Sequence, residues 1–326
     1  MNVENERIAE LAQLGFHAAV GHVMKELAQR DPYFSLIYSD CGNRFQAGLV
    51  QEVHPEKCYE VGIAEQNQVG MAAAMALEGY HVFALAYAPF ITARVLDQIR
   101  VDLGYMNAPV KLIGLGAGLS IGDLGATHMA IEDIANLRGI PNLVIMSPAD
   151  CLELAKMLEA SLTLPAPVYI RVTVGKSGQR IYERDYDFQI GKAVVLRTGR
   201  DVLFVSSGSI LQEVVGAAEI LSEAGVSATV LNMHTIKPLD TETLARFLDH
   251  KIVVTVEEHC DAGGLGGAVS EYLAAMPQHP PLLRMALPDH YFCANTPEKL
   301  REKAGLTGRQ IAEKTKAFLN AERWSK

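Results

Sequence analysis

Hydrophobic positions along this chain fall into short, dense runs separated by longer amphipathic stretches. In the first half the runs are FSLIY (34–38), HVFALAY (81–87), VKLIGL (110–115), NLVIM (142–146) and PVYIRVTV (167–174). In the second half DVLFVSSG (201–208), SATVLNM (227–233) and KIVVTVEE (251–258) repeat the same rhythm. Runs of this length, rich in β-branched and aromatic residues, predict strands, and their alternation with helical stretches predicts an α/β fold of mostly parallel sheets flanked by helices. The rhythm breaks within GKSGQRIYERDYDFQ, which is polar and fits neither period. A linker over 176–190 is therefore expected to join a domain over 1–175 to another over 191–326. A length of 326 residues suits two domains.

One helix stands out. AEQNQVGMAAAMALEG (64–79) predicts a helix beginning near Ala64, with Gly79 at the place of a C-terminal cap. Its series of small residues (Gly70, Ala72, Ala73, Ala74, Ala76) admits a close neighbour, either inside the domain or across a subunit interface.

Composition narrows the function. Hydrophobic residues make up 49% of the chain and charged residues 21%, the balance of a folding globular protein. The net charge of −9 without a Lys/Arg cluster argues against nucleic acid as the main partner. No apolar run is long enough for a bilayer, and acidic residues stand where a signal peptide would be basic, so a cytoplasmic protein is expected. Five widely spaced cysteines without a CxxC pair, and histidines without HxxxH or HExxH, suggest neither a disulfide framework nor a metal site built by this chain alone.

By itself Glu65 reads as a first-turn carboxylate favoured by the helix dipole. Its surroundings say more. VGIAEQN (61–67), preceded by YSDCGNRF (38–45) and followed by the alanine-rich helix, resembles the pyrimidine-binding domain of the transketolase family, which includes transketolases, deoxyxylulose phosphate synthases and the β subunits of 2-oxoacid dehydrogenases. YAPFITARVLDQI (87–99) and GDLGATHMAIEDIANLRGIPNLVIMSPAD (122–150) continue the resemblance in order. GKAVVLRTGRDVLFVSSGS, HTIKPLD, VVTVEEHCDAGGLGG and LPDHYF are similar to the family's C-terminal domain, so nearly the whole chain is covered.

The resemblance implies thiamine diphosphate as cofactor, with Glu65 hydrogen-bonded to the aminopyrimidine and activating it. It implies Phe90 and Tyr87 against the pyrimidine ring, Arg94 beside them, and His128 on a substrate oxygen, moving protons. Three family positions differ. The aspartate expected four residues before the histidine is Leu124, with Asp123 one step earlier; a second histidine is replaced by Gly116; and the sugar-phosphate arginine falls near Val174, leaving Arg171 and Lys176 as substitutes. Sugar specificity is thus left open by the sequence. The family holds Mg2+ on the diphosphate with GDG followed by NN, and neither string occurs here. The resemblance therefore implies a transferase active only with a partner, an N-terminal transketolase subunit carrying the diphosphate-binding domain and metal ligands, self-associated as α2β2. A synthase-like enzyme, a 2-oxoacid dehydrogenase β subunit and a non-catalytic relative are the alternatives.

Overall fold

The computed structural model describes residues 5–173 and 178–321. Its first half contributes strands β1 (Phe34–Tyr38), β2 (Cys58–Glu60), β3 (His81–Tyr87), β4 (Lys111–Leu115), β5 (Val144–Met146) and β6 (Val168–Val172). The second contributes β7 (Val194–Arg197), β8 (Val202–Ser206), β9 (Ala228–Asn232), β10 (Thr235–Lys237), β11 (Ile252–Cys260) and β12 (Leu282–Leu287). Every hydrophobic run noted in the sequence holds one of these strands or, for β11, all but its last two residues. β2, β7, β10 and β12 are too short or too exposed to stand out as such runs.

The first sheet has seven strands in the order β10-β5-β6-β4-β3-β1-β2, and β1 to β6 pair in parallel. Alternate residues feed two cores, as the two-residue period of a strand requires. Phe34, Leu36, Phe83, Leu85, Ile113 and Ile170 pack with the helices Asn5–Arg30 and Cys151–Ser161 on one face. Ile37, Val82, Ala84, Ala86, Leu112 and Ile145 pack on the other with the helices Glu65–Leu77 and Ile99–Tyr105. A sheet covered on both faces explains why its strands read as unbroken apolar runs.

The second sheet runs β12-β11-β8-β9-β7, parallel except for β7. The two halves are tied together more closely than a linker predicts. β10, from the second half, pairs antiparallel with β5 and closes the edge of the first sheet. The segment from 178 to 193 has no helix or strand but is fastened down: Ile181 and Tyr182 donate backbone N–H bonds to Asp150, and the Tyr182 and Tyr186 hydroxyls donate to the buried carboxylate of Glu153. Among the described residues no helix is long and apolar enough to cross a membrane.

Candidate active site

The helix Glu65–Leu77 buries Glu65, Gln68, Val69, Ala72, Ala73 and Ala76, one continuous face at helical spacing. Its alanines are thus used for packing inside the domain, while Ala74 is exposed and a Cβ on Gly70 would meet open space. The helix does start at the predicted place, and Gly79 follows it at φ +97°. Gln68 is fully buried and fixes the first turn: its Nε2 donates to the carbonyls of Ile37 (3.0 Å) and Leu85 (2.9 Å), and its Oε1 accepts from the Ser39 hydroxyl (2.7 Å). The amide is satisfied on both ends, so the helix is pinned across β1 and β3. One turn earlier, Glu65 is buried as well, 3% exposed.

Arg94 donates from Nη1 to Glu65 Oε2 at 2.7 Å, and its guanidinium lies 4.1 Å over the Phe90 ring. Glu65 Oε1 has no hydrogen bond among the described residues. Tyr87 ends β3, and Phe90 follows it in a short helix, Ala88–Ile91, entered through Pro89. The rings of Tyr87 and Phe90 meet the His128 imidazole edge to face, at 5.6 Å and 5.2 Å between centroids. Five side chains from three separate stretches of sequence thus form one cluster.

His128 sits on a short turn in the loop between β4 and β5, with Nδ1 3.0 Å from the Thr127 hydroxyl. Burial lowers its pKa below the usual imidazole value, the charges of Arg44 and Arg94 lower it further, and Asp123 opposes them. All but the last of these influences favour the neutral imidazole. Beside Tyr87 opens a cleft of about 290 Å³, whose lining includes Tyr38, Asp40, Arg44, Gln51 and Glu60. Glu60 braces the local backbone through one oxygen, its Oε1 accepting from the amides of Asp40 (2.8 Å) and Gly62 (3.0 Å). Burial pushes the Tyr38 phenol and the Cys41 thiol each up to about 12, so both stay neutral. Arg44 has no ion-pair partner among the described residues. The site can hold a flat heterocycle against aromatic edges, give it a buried carboxylate, and present a neutral imidazole to a second molecule.

Comparison with known proteins decides the family. Residues 12–178 match the family model described as transketolase, pyrimidine binding domain, and residues 191–311 match the transketolase C-terminal domain. The chain belongs to the transketolase family. It is 34% identical to a putative transketolase C-terminal section from Methanocaldococcus jannaschii, over 92% of this chain and 95% of that one. It is 38% identical to one subunit of the apulose-4-phosphate transketolase of Actinobacillus succinogenes, over 79% and 84% of the two chains. Among solved structures, a split-gene transketolase in the form of an inactive beta4 tetramer superposes with a TM-score of 0.85 at 33% identity, over 94% of this chain and 98% of that one. Against a Synechococcus 1-deoxy-D-xylulose-5-phosphate synthase, at 38% identity over 92% of this chain, it spans only 47% of the relative's length.

Within this transketolase-family fold, Glu65, Tyr87, Phe90, Arg94 and His128 come together, and Asp123 lies exposed close enough to act on His128. Arg171 does not join them. It is 3% exposed, its Nε donates to both oxygens of the buried Asp133 (3.0 and 2.8 Å), and its Nη2 donates to the carbonyls of Glu258 (2.9 Å) and Ala130 (3.3 Å). As a sugar-phosphate ligand Arg171 is corrected to an internal strut, because its donors serve the protein itself. Lys176, the other phosphate candidate, lies outside the described residues. Gly116 has φ +71° and a Cβ there would displace the end of the Ile121 side chain, so a histidine at this turn would be strained; Leu124 is 48% exposed. Sequence reasoning missed Gln68, whose signal was a polar residue one turn after Glu65 on the buried face, and Arg44, which lay unremarked in YSDCGNRF.

Proposed function

We propose that this chain is the C-terminal subunit of a split transketolase, moving a two-carbon ketol unit from a ketose phosphate to an aldose phosphate with thiamine diphosphate. The observation that carries this reading is the convergence of Glu65, Phe90, Tyr87 and His128. A carboxylate this buried, with one oxygen still open for a hydrogen bond beside an aromatic edge, fits an aminopyrimidine. When bound, the cofactor supplies a nucleophilic carbon and an electron sink for breaking a carbon–carbon bond.

The chain's own residues have separate tasks. Glu65 would hold the pyrimidine nitrogen through a shared hydrogen bond and so support activation of the ring. Phe90 and Tyr87 set its orientation. Arg94, 41% exposed at its side chain, holds Glu65 in place and has solvent to turn into as the ring enters. His128, its neutral form favoured by burial, accepts a proton from a substrate hydroxyl and returns it. Diphosphate and Mg2+ are assigned to an N-terminal partner subunit, since the GDG and NN strings are missing here and the matching relatives include a C-terminal section and a separately named transketolase subunit. A synthase-type reaction with a 2-oxoacid donor is the second reading, favoured by the synthase relatives.

Reconstitution tests the proposal. The chain alone should bind thiamine diphosphate weakly and show no turnover, and titrating in the partner should raise cofactor affinity in proportion to assembly. Ketose phosphate and 2-oxoacid donors tried side by side distinguish the two reactions. Tight, metal-dependent binding and full turnover by this chain alone would show that it is no half-enzyme.

A further inference from the structure

In a doubly wound sheet the crevice outside the carboxyl ends of the strands, where the strand order reverses, ordinarily receives a ligand. In the second sheet that reversal falls between β8 and β11, since β9 lies to one side of β8 and β11 to the other. Here the crevice is filled by the protein. Just past the Ser206–Val256 register pair stands Glu258, 2% exposed, whose Oε1 accepts the backbone N–H of Leu119 at 2.7 Å. Its Oε2 accepts from Arg301 Nε at 2.9 Å. The loop comes so close that a Cβ on Gly118 would lie 2.7 Å from Glu258 Oε1, and Gly118 has φ +65°.

Leu119 is the first step of a ladder. The Gly122 amide donates to the Leu119 carbonyl, the Gly125 amide to the Gly122 carbonyl, and the His128 amide to the Gly125 carbonyl, at 3.0, 3.1 and 3.0 Å. The same Gly122 carbonyl accepts from Asn295, and Gly122 packs under Leu300, next to Arg301. At the loop's base, the Gly118 amide donates to the Ala130 carbonyl (2.8 Å), which Arg171 also reaches. With positive φ at Gly116, Gly118 and Gly125, the segment has little conformational preference of its own, so its shape depends on these anchors.

We infer that Glu258 is a positioning residue: through Leu119 and the turn ladder it sets where His128 stands, so the C-terminal domain serves as the clamp of the substrate-side loop. The inference rests on the reading of His128 as the residue that meets substrate.

Hydrogen exchange on the full chain, read by mass spectrometry, tests the clamp without any activity. In Glu258→Ala the amides from Leu119 to His128 should exchange about tenfold faster or more, as loss of one buried charged hydrogen bond predicts. Glu258→Gln keeps an acceptor for Leu119 and should stay near wild type. Glu258→Asp keeps the charge for Arg301 but withdraws from Leu119, so it stands in if the alanine variant does not fold. In the assembled holoenzyme Glu258→Ala should lower kcat, leave cofactor affinity unchanged, and add nothing to the loss in His128→Ala. Unchanged loop exchange in the alanine or aspartate variant, or kinetic losses that add to those of His128→Ala, overturns the clamp. If the wild-type assembly transfers no ketol unit, the reaction assigned above fails and the exchange result alone decides this one.

Discussion

Replacing Glu65 by Gln separates the structural from the chemical part of its role. The amide keeps the shape and can still accept from Arg94, but it loses the charge. Glu65 is 4% and Arg94 41% exposed at the side chain, so solvent screens one partner. The lost pair is worth about 0.5–1.5 kcal/mol, and the lost first-turn charge about 0.3–1 kcal/mol. Together these lower the melting temperature by only a few degrees in a chain of this length. The chemical loss is larger, because an amide cannot share the proton that the pyrimidine tautomer requires: a missing proton-transfer partner costs about 10²–10⁴-fold, or about 3–5 kcal/mol in the barrier. The assay is ketol transfer with partner, cofactor and metal saturating, beside thermal unfolding and mass determination of the same preparations. The reasoning is refuted if the variant turns over like wild type, and equally if activity disappears only because the assembly has come apart.

His128→Ala should reduce turnover of phosphorylated sugars by about 10²-fold or more while thiamine diphosphate titrates as in wild type, because the proposed role sets the imidazole on substrate rather than cofactor; equal losses in both measurements would show it misplaced. His259 gives a pH test. It is buried against Asp133 and Ala135, its Nε2 accepts the Ala135 amide at 3.2 Å, and burial pushes its pKa down to about 4. A histidine depressed in the folded state takes up its proton on unfolding, so its contribution is complete above the ordinary value near 6.5 and is lost as pH falls towards 4. That gap corresponds to at most about 3 kcal/mol. His259→Gln, which keeps an acceptor for Ala135, should therefore lose less stability than wild type over this range; denaturant unfolding at stepped pH should show the difference between the two proteins narrowing as acid is added, and a constant difference would contradict it.

Much of this molecule can be read along the chain because the signals are local. β1, β3, β4 and β6 are covered on both faces, so each appears as an unbroken apolar run, and the helix at Glu65 announces itself by the spacing of its small residues and a glycine at its end. The five clustered side chains could be named in advance because they lie in short ordered strings. What the sequence did not show depends on partners distant in the chain. Nothing in TIK reveals that β10 crosses to the other domain's sheet, since a three-residue strand takes its place from the edge it meets. Nothing near Arg171 reveals that Asp133 will take its guanidinium, which turns a candidate phosphate ligand into an internal strut. Gln68, Glu258 and Arg301 are ordinary polar residues until folding buries them against backbone amides, carbonyls and each other. A buried polar group must find its hydrogen bonds somewhere, and where it finds them is settled by tertiary structure.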